Sequence, residues 1–417
     1  MASPAASGVD LSRRDLTLDL ARVAAVIVVV VVHLLQVGVA VGPDGTVVTS
    51  RPAEEQAWFD VATWFGQIMP LFFVVGGFAS AAGWASWTAK GGDATGFVRT
   101  RTLRLAQPAL PFFLVIATLL AVSTVLGVAP DVVNAAAVGV GLPLWFLAAY
   151  LLCQLIVPLM ARWHATAPRL TMLVLLAAVV AVDAVRYATG IEQVGLLNLL
   201  FVWPLIQQIG FWYHDGWFDR RRGVKLVAIA LGGFAVFLAV VAWGPYSTNL
   251  LADLNPPTLP LVILGVAQAA LLRLARPVLA ALMQTRIMRG VVFVLGSRLM
   301  TIYLWHLPVI LLLSGLSVLI PGAAPTPASA TWWATRPVLF VVVMGVLGLL
   351  SLGLARFESL GRLGESPSPL LVGVAWCCAF LPPFLVMEWG MNLTFAAIGT
   401  IMMGISVLVL RTRAVAA

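Results

Sequence analysis

Three residues in one apolar stretch open the chemistry of this 417-residue chain: Asp19, Arg22 and His33, set in DLARVAAVIVVVVVHLLQVG. Titratable side chains in so apolar a run are costly, so each is a functional hypothesis by default. If the run is helical, the eleven steps from Arg22 to His33 turn about 1100°, some 20° past three full turns, so the two side chains share a face. Asp19 lies within about 60° of Arg22, and His33 sits roughly 16 Å further along the axis. Imidazole is a proton carrier near neutral pH. One helix face therefore carries a polar track. The same residues also fit an interfacial Asp19–Arg22 ion pair with His33 bonded to a neighbouring helix.

The element that positions them is a membrane helix among many. The chain is 61% hydrophobic and 10% charged, against roughly 25% charged in soluble domains. No soluble fold of this size hides so much apolar side chain, and in lipid the backbone must be helical or close into a barrel. Apolar runs long enough to span, about 20 residues each, fall at roughly 20–41, 59–86, 105–127, 143–161, 170–187, 195–213, 224–243, 257–275, 291–319, 337–355, 369–386 and 391–410. The fold class is all-α: a polytopic transmembrane bundle of about twelve spans, ten at the fewest, in one domain over residues 1–417. The second and ninth runs are long enough to be tilted or broken.

With the N-terminus inside, the inner segments hold 21 of the 25 Lys and Arg, among them Arg13, Arg14, Arg362 and Arg413. The outer segments hold Arg51, Arg186 and Arg336, and Arg22 lies within the first run. This alternation predicts both termini in the cytoplasm and a multi-pass protein of the inner (plasma) membrane. The net charge of +8 then belongs to loops and implies no nucleic acid. The first run is too long for a signal-peptide core and contains Arg22 and His33, so it reads as an uncleaved helix. Cys153, Cys377 and Cys378 lie in apolar runs and read as packing residues. They have no zinc-type spacing, and no metal is expected. The longer outer loops are 42–57, 244–258 and 321–336. The halves show no strong repeat, and oligomeric state is not legible.

Five passages in order resemble acyltransferase family 3, the membrane O-acyltransferases that modify sugars, lipids and antibiotics. The Asp-x-x-Arg-x10-His spacing of Asp19, Arg22 and His33 is the first. MPLFFVVGGF (69–78) resembles a family segment in which Ser usually stands at the place of Gly76. RTLR (101–104) matches an Arg-x-x-Arg motif at the start of the third span. PLWFLAAYL (143–151) and IYLWHLPV (302–309) are similar to a Trp-Phe-Leu helix and a late Tyr-Leu-x-His-x-Pro segment. Each motif alone is weak; five in order, covering residues 19 to about 310, are specific. In the last segment Leu299 replaces a usual Ser and the usual Arg falls one place later, at Arg298. No hydrolase-like domain follows the core of about 15–355, only two further spans over about 369–410.

The resemblance implies an acyl-CoA-dependent O-acyltransferase in which His33 is essential, either as base for the acceptor hydroxyl or as a covalent acyl carrier. Arg22 and Asp19 would hold the donor or tune His33. Arg101 and Arg104, with Arg99 as helper, would bind the phosphates of coenzyme A, although arginines at a helix end also serve as ordinary positive-inside anchors. The co-substrate is acyl-CoA, acetyl-CoA on the family pattern, with no tightly bound cofactor. The acceptor is a carbohydrate or lipid-linked glycan, as in modification of a bacterial cell envelope. The substrate-binding set is His306, Tyr303, Trp145, Gln207 and Gln208. Of these, His306 also fits a structural role, and Gln207 and Gln208 also fit as links between helices. Asp183 and Arg186 read as a local pair, His164 and His214 as solvated residues at helix ends, and Asn255-Pro-Pro as a helix start. Glu388 and Asn392 read as water-facing.

The rival is a proton-coupled secondary transporter using His33 and Arg22, since twelve spans with both termini inside is also a carrier plan. That reading gives the paired spacings no particular reason.

Overall fold

The computed structural model of the chain describes residues 15–42, 46–320, 322–361 and 363–411. Arg13, Arg14, Arg362 and Arg413 lie outside them. Twelve helical segments are long and apolar enough to cross a membrane. In order they are α1 (Leu16–Gln36), the pair α2 (Phe59–Gly66) and α3 (Met69–Thr88), and α4 (Ala94–Val125). The pair α5 (Pro130–Gly141) and α6 (Leu144–Thr166) follows, then α7 (Pro168–Thr189). A 3-10 turn (Glu192–Leu200) leads into α8 (Val202–His214), followed by α9 (Gly223–Trp243) and α10 (Leu259–Leu282). The short α11 (Arg286–Gly296) precedes α12 (Leu299–Val318), α13 (Ala330–Glu358), α14 (Pro369–Trp389) and α15 (Leu393–Leu410).

Several sequence boundaries move, the third span for one beginning at Ala94 rather than 105, and two of the runs also change element. The first helix stops at Gln36 rather than 41. Residues Gly38–Val41 (β1) instead pair antiparallel with Val47–Ser50 (β2), as β-branched valines favour. The ninth run breaks: α11 is separate, and α12 alone crosses. The second run breaks too, between α2 and α3.

In lipid a broken helix must find partners for its freed backbone groups. At the α2–α3 break Gln67 supplies them. Its amide donates to the Leu250 carbonyl at 3.2 Å and accepts from the Met69 N–H at 3.3 Å. The Gln67 carbonyl takes the Gln268 amide at 2.7 Å, and Pro70 fits the first turn of α3. At the start of α12 the partner is remote. Glu358, the last residue of α13, accepts from the Thr301 N–H at 2.9 Å and from the Thr301 hydroxyl. It thus acts as a carboxylate cap where the helix dipole favours negative charge. The end of α13 is itself held by α4, where the Gln107 amide donates to the carbonyls of Ser359 (3.0 Å) and Arg356 (3.3 Å).

The tightest crossing is α3 on α8. A Cβ on Gly210 would stand 2.1 Å from the Val74 carbonyl oxygen, and one on Gly77 would stand 2.2 Å from that of Gln207. Two backbones touch here because neither residue has a side chain, which is how membrane helices gain packing without a hydrophobic drive. Helix α1 packs against α3, α10, α11, α12 and α13. Its first turn is fixed by Asp15, which caps the Thr17 N–H (3.0 Å) and pairs with Arg276 (3.3 Å). The last two spans buttress the rest, α15 along α4 and α14 along α6.

The α3–α8 crossing predicts a cost for small changes. Gly77→Ala and Gly210→Ala should each destabilise the detergent-purified protein by about 1–3 kcal/mol, the usual penalty of overpacking. Thermal unfolding measures this, and a melting temperature equal to wild type in both variants would show that the helices separate freely.

Candidate active site

A cavity of about 260 Å³ runs inside the bundle. At one end it is lined by Arg22 of α1 and by Arg101 and Arg104 of α4. Further in it meets His33, His306, Tyr303 and Trp145. At the opposite end are the α2–α3 break, at Gly66 and Ile68, and Leu251 and Leu254 of the loop before α10. The shared helix face places Arg22 and His33 on one wall, as α1's periodicity requires.

The three arginines are electrostatic neighbours: Arg22 and Arg104 both act on Arg101. Among the described residues no carboxylate stands within ion-pair distance of any of them. Like charges held together without a counter-charge are poised for an anion, and guanidinium suits phosphate. Space for Arg101 comes from Gly83 of α3, where a Cβ would stand 2.1 Å from its Nη2. Its guanidinium also lies 4.9 Å above the Phe97 ring.

His33 and His306 touch. His33 Nδ1 lies 2.7 Å from His306 Nε2, with the rings within 4° of parallel and their centroids 5.0 Å apart. Ring faces stack at roughly 3.5 Å or more, so this is an edge-to-edge hydrogen bond with both rings near one plane. Its direction follows from the backbone. His306 Nδ1 faces the carbonyls of Tyr303 (2.7 Å) and Ile302 (3.2 Å), which only accept, so Nδ1 carries the proton. In neutral His306 the Nε2 is then an acceptor, and His33 must donate from Nδ1. The lone pair of His33 is left on Nε2. The network therefore assigns the tautomers of both histidines, which line the cavity together.

An aromatic wall closes one side. Tyr303 donates its hydroxyl to the Pro143 carbonyl at 2.5 Å and packs edge-on to Phe146. Trp145 stacks on Trp203. Gly76, where the resemblance leads one to expect serine, faces Tyr150: a Cβ would meet the ring at 3.2 Å. Tyr150 takes up that space and itself lines the cavity. Gln154 also lines it, donating to Ser80 Oγ at 3.0 Å while its Oε1 has no hydrogen-bond partner.

The structure brings together Arg22, His33, Arg101, Arg104, Trp145, Tyr303 and His306, and separates others. Asp19 stands in the first turn of α1 and is not part of the cavity lining. Arg99 points away, with Nε on the Leu410 carbonyl (2.9 Å) and Nη1 on that of Gly364 (2.7 Å). Gln208 is a helix link: its amide donates to the Met160 carbonyl (3.2 Å) and its oxygen faces His164 Nδ1 (2.9 Å). Gln207 is buried outside the cavity lining. Nor is His164 simply solvated, since its Nε2 reaches Asp215 at 3.0 Å.

Asp183 and Arg186 do not pair locally. Arg186 bridges to Glu192, while Asp183 is buried and accepts from Asn198 (2.7 Å), Tyr246 (2.9 Å) and the Leu259 N–H (3.0 Å). Sequence reasoning missed Tyr150, Gln154 and the role of His306 as partner to His33. Its one signal was that His306, like His33, is a lone histidine in an apolar run.

A protein-family model described as an acyltransferase domain matches residues 15–356. No curated protein and no solved structure matches the chain.

The loop roofing the far end of the cavity carries a titratable carboxyl. Asp253, between Leu251 and Leu254, is 3% exposed. Burial pushes its pKa up to about 7, against opposing help from Thr258 and Arg186. A pKa raised in the folded state means that folding binds a proton. Stability is then fullest below the unfolded carboxylate range and declines as pH rises towards 7, staying level above. Asp253→Asn should remove that decline and melt higher than wild type at pH 8; an unchanged pH profile of the melting temperature would refute the assignment.

Proposed function

The chain belongs to acyltransferase family 3, and from that premise we propose an acyl transfer from acyl-coenzyme A to a hydroxyl of a sugar, glycan or lipid-linked acceptor. Acetyl is the acyl group that the family resemblance implies. The observation that carries the reading is the oriented His33: an Nε2 lone pair inside a cavity whose other end, away from the Leu251–Leu254 roof, holds three arginines with no paired carboxylate among the described residues.

The donor enters at the arginine end, from the cytosol in the orientation that the loop charges favour. Its phosphates lie against Arg22, Arg101 and Arg104. His33 is roughly 16 Å deeper than Arg22 along α1, a separation suited to a thioester carried on a long thin arm from a phosphate group. The acceptor hydroxyl approaches His33 from the other end, beneath the roof formed by Leu251 and Leu254. Its oxygen attacks the thioester carbonyl carbon as its proton passes to His33 Nε2. The C–S bond breaks, the coenzyme leaves as a thiolate, and the proton on His33 neutralises it. His306 also lines the cavity, but both of its ring nitrogens are committed, Nε2 to His33 and Nδ1 to backbone carbonyls. It is a positioning residue that keeps His33 in the productive tautomer and orientation. Helices α14 and α15 contribute by holding α4 and α6, not by lining the cavity.

The purified protein tests this. His33→Ala should keep acyl-coenzyme A binding and lose turnover by about 10²–10⁴-fold, the usual share of a positioned base. Arg101→Ala/Arg104→Ala should weaken donor binding by tenfold or more, as loss of hydrogen bonds to a charged group implies, each about 1.5–3 kcal/mol. His306→Ala should lower kcat more than it raises KM and shift the pH–rate profile, whereas His306→Gln, which keeps an acceptor towards Nδ1, should recover part of the rate. Folded wild type that binds neither acetyl- nor longer acyl-coenzyme A would defeat the donor assignment and turn attention to proton-coupled transport.

A further inference from the structure

A second cavity, of about 250 Å³, lies between α12, α13 and the junction of α1 with β1. Its walls are mostly apolar, with Val37, Leu313 and Leu339 among them. Val338 and Val342, also in the lining, are 66% and 44% exposed on the outside of the bundle. The slot therefore opens sideways, towards the lipid, and not into the bundle.

One cation stands in it. Arg336 donates from Nε to the Trp332 carbonyl (3.0 Å) and from Nη2 to Thr335 Oγ1 (3.3 Å). Its guanidinium lies 4.3 Å over the Trp332 ring. These contacts fix the plane of the fork but occupy two of five N–H donors. No carboxylate pairs with Arg336 among the described residues. The Ser314 hydroxyl lines the same slot, 6% exposed as a residue and without a hydrogen-bond partner for its oxygen. An uncompensated charge on the lipid side of a membrane helix is costly, and so is a buried unpaired hydroxyl. An anionic, oxygen-rich group on an apolar tail relieves both.

We propose that this slot binds the anionic phosphate head of a membrane lipid, with the phosphate on the Arg336 fork and one chain along the apolar wall. Arg suits the phosphate because its remaining donors can be given in pairs. The location adds a consequence. Val37, just past the end of α1, is four residues beyond His33, about 6 Å along the axis, and Ser314 is eight past His306 on α12, about 12 Å. The lipid phosphate would sit beside the two helices that carry the histidine pair, on the side away from Arg22. The lipid site stands whatever the chemistry at His33, so it goes beyond the acyl-transfer reading.

Native mass spectrometry of the full-length protein in detergent tests it. The probes are phosphatidylglycerol, a polyprenyl phosphate and, as a zwitterionic control, phosphatidylcholine. At least one anionic lipid should be retained about tenfold over the control, as one hydrogen bond to a charged group supplies. Arg336→Ala should abolish the preference and Arg336→Lys should keep part of it. Preference for phosphatidylglycerol identifies a bulk-lipid site and preference for the polyprenyl phosphate a carrier site; either sustains the proposal. Equal retention of all three lipids, or a preference unchanged in folded Arg336→Ala, overturns it. His33→Ala protein should show the same lipid preference, so failure of the lipid site and failure of acyl transfer are read separately.

Discussion

Lipid offers no water to a freed backbone group, and every irregularity in this bundle is organised by that fact. The two helix breaks that shape the cavity exist because another helix supplies the missing hydrogen bonds. Gln67 and Gln268 hold the α2–α3 break, which gives the cavity its Gly66–Ile68 end. Glu358 holds the start of α12, and that start sets the rotation of the helix carrying Tyr303 and His306. The chain of dependence is longer still. Gln107 of α4 secures the end of α13, which places Glu358, which caps α12, which presents His306 to His33. A residue two helices away from the histidine pair thus helps fix its geometry.

Charge is distributed by the same economy. Most arginines with a defined partner are spent on structure. Arg273 and Arg276 converge on Asp219, Arg276 also reaches Asp15, and Arg99 serves the last turn of α15, where carbonyls point out. A cation there is stabilised by the helix dipole as well. Arg22, Arg101 and Arg104 differ in having neighbours of like sign and, among the described residues, no paired carboxylate. Their mutual repulsion and desolvation are a standing cost that the anionic donor proposed above would offset.

Local periodicity was legible in the sequence and tertiary partnership was not. The shared face of Arg22 and His33 follows from 3.6 residues per turn, and the apolar runs mark the spans because lipid enforces length. The limits of the first and ninth runs were misplaced for different reasons. Valines suit both helix and strand, so Val39 and Val41 gave no stop signal before β1. The apolar pattern from 291 to 319 is interrupted only by Gly296, Ser297 and Arg298, so the run could be tilted or broken, and the cap that settles the break comes from Glu358, some sixty residues on. Arg99 looked like Arg101 and Arg104 because it shares their segment; only the position of Leu410 shows that it faces another helix. Asp183 and Arg186 had the spacing of a pair, yet each found a stronger partner beyond its helix. His306 was visible as a polar residue in an apolar run, but nothing in one dimension ties it to His33, 273 residues away.

That the partner of His33 is a histidine and not a carboxylate has a consequence for the chemistry. A carboxylate would orient the ring and also stabilise the imidazolium, but it would place a permanent charge in a dry site at a desolvation cost of several kcal/mol. Neutral His306 fixes the same tautomer with no standing charge, because its own Nδ1 proton is committed to the carbonyls of Tyr303 and Ile302. It offers the imidazolium a hydrogen bond but no counter-charge. In the acyl transfer proposed above, a protonated His33 would have no counter-charge from its partner, and its proton would leave with the thiolate released in the same turnover. Under that proposal the negative charge that balances the protonated base would come from the leaving group, so base and leaving group would act as one unit.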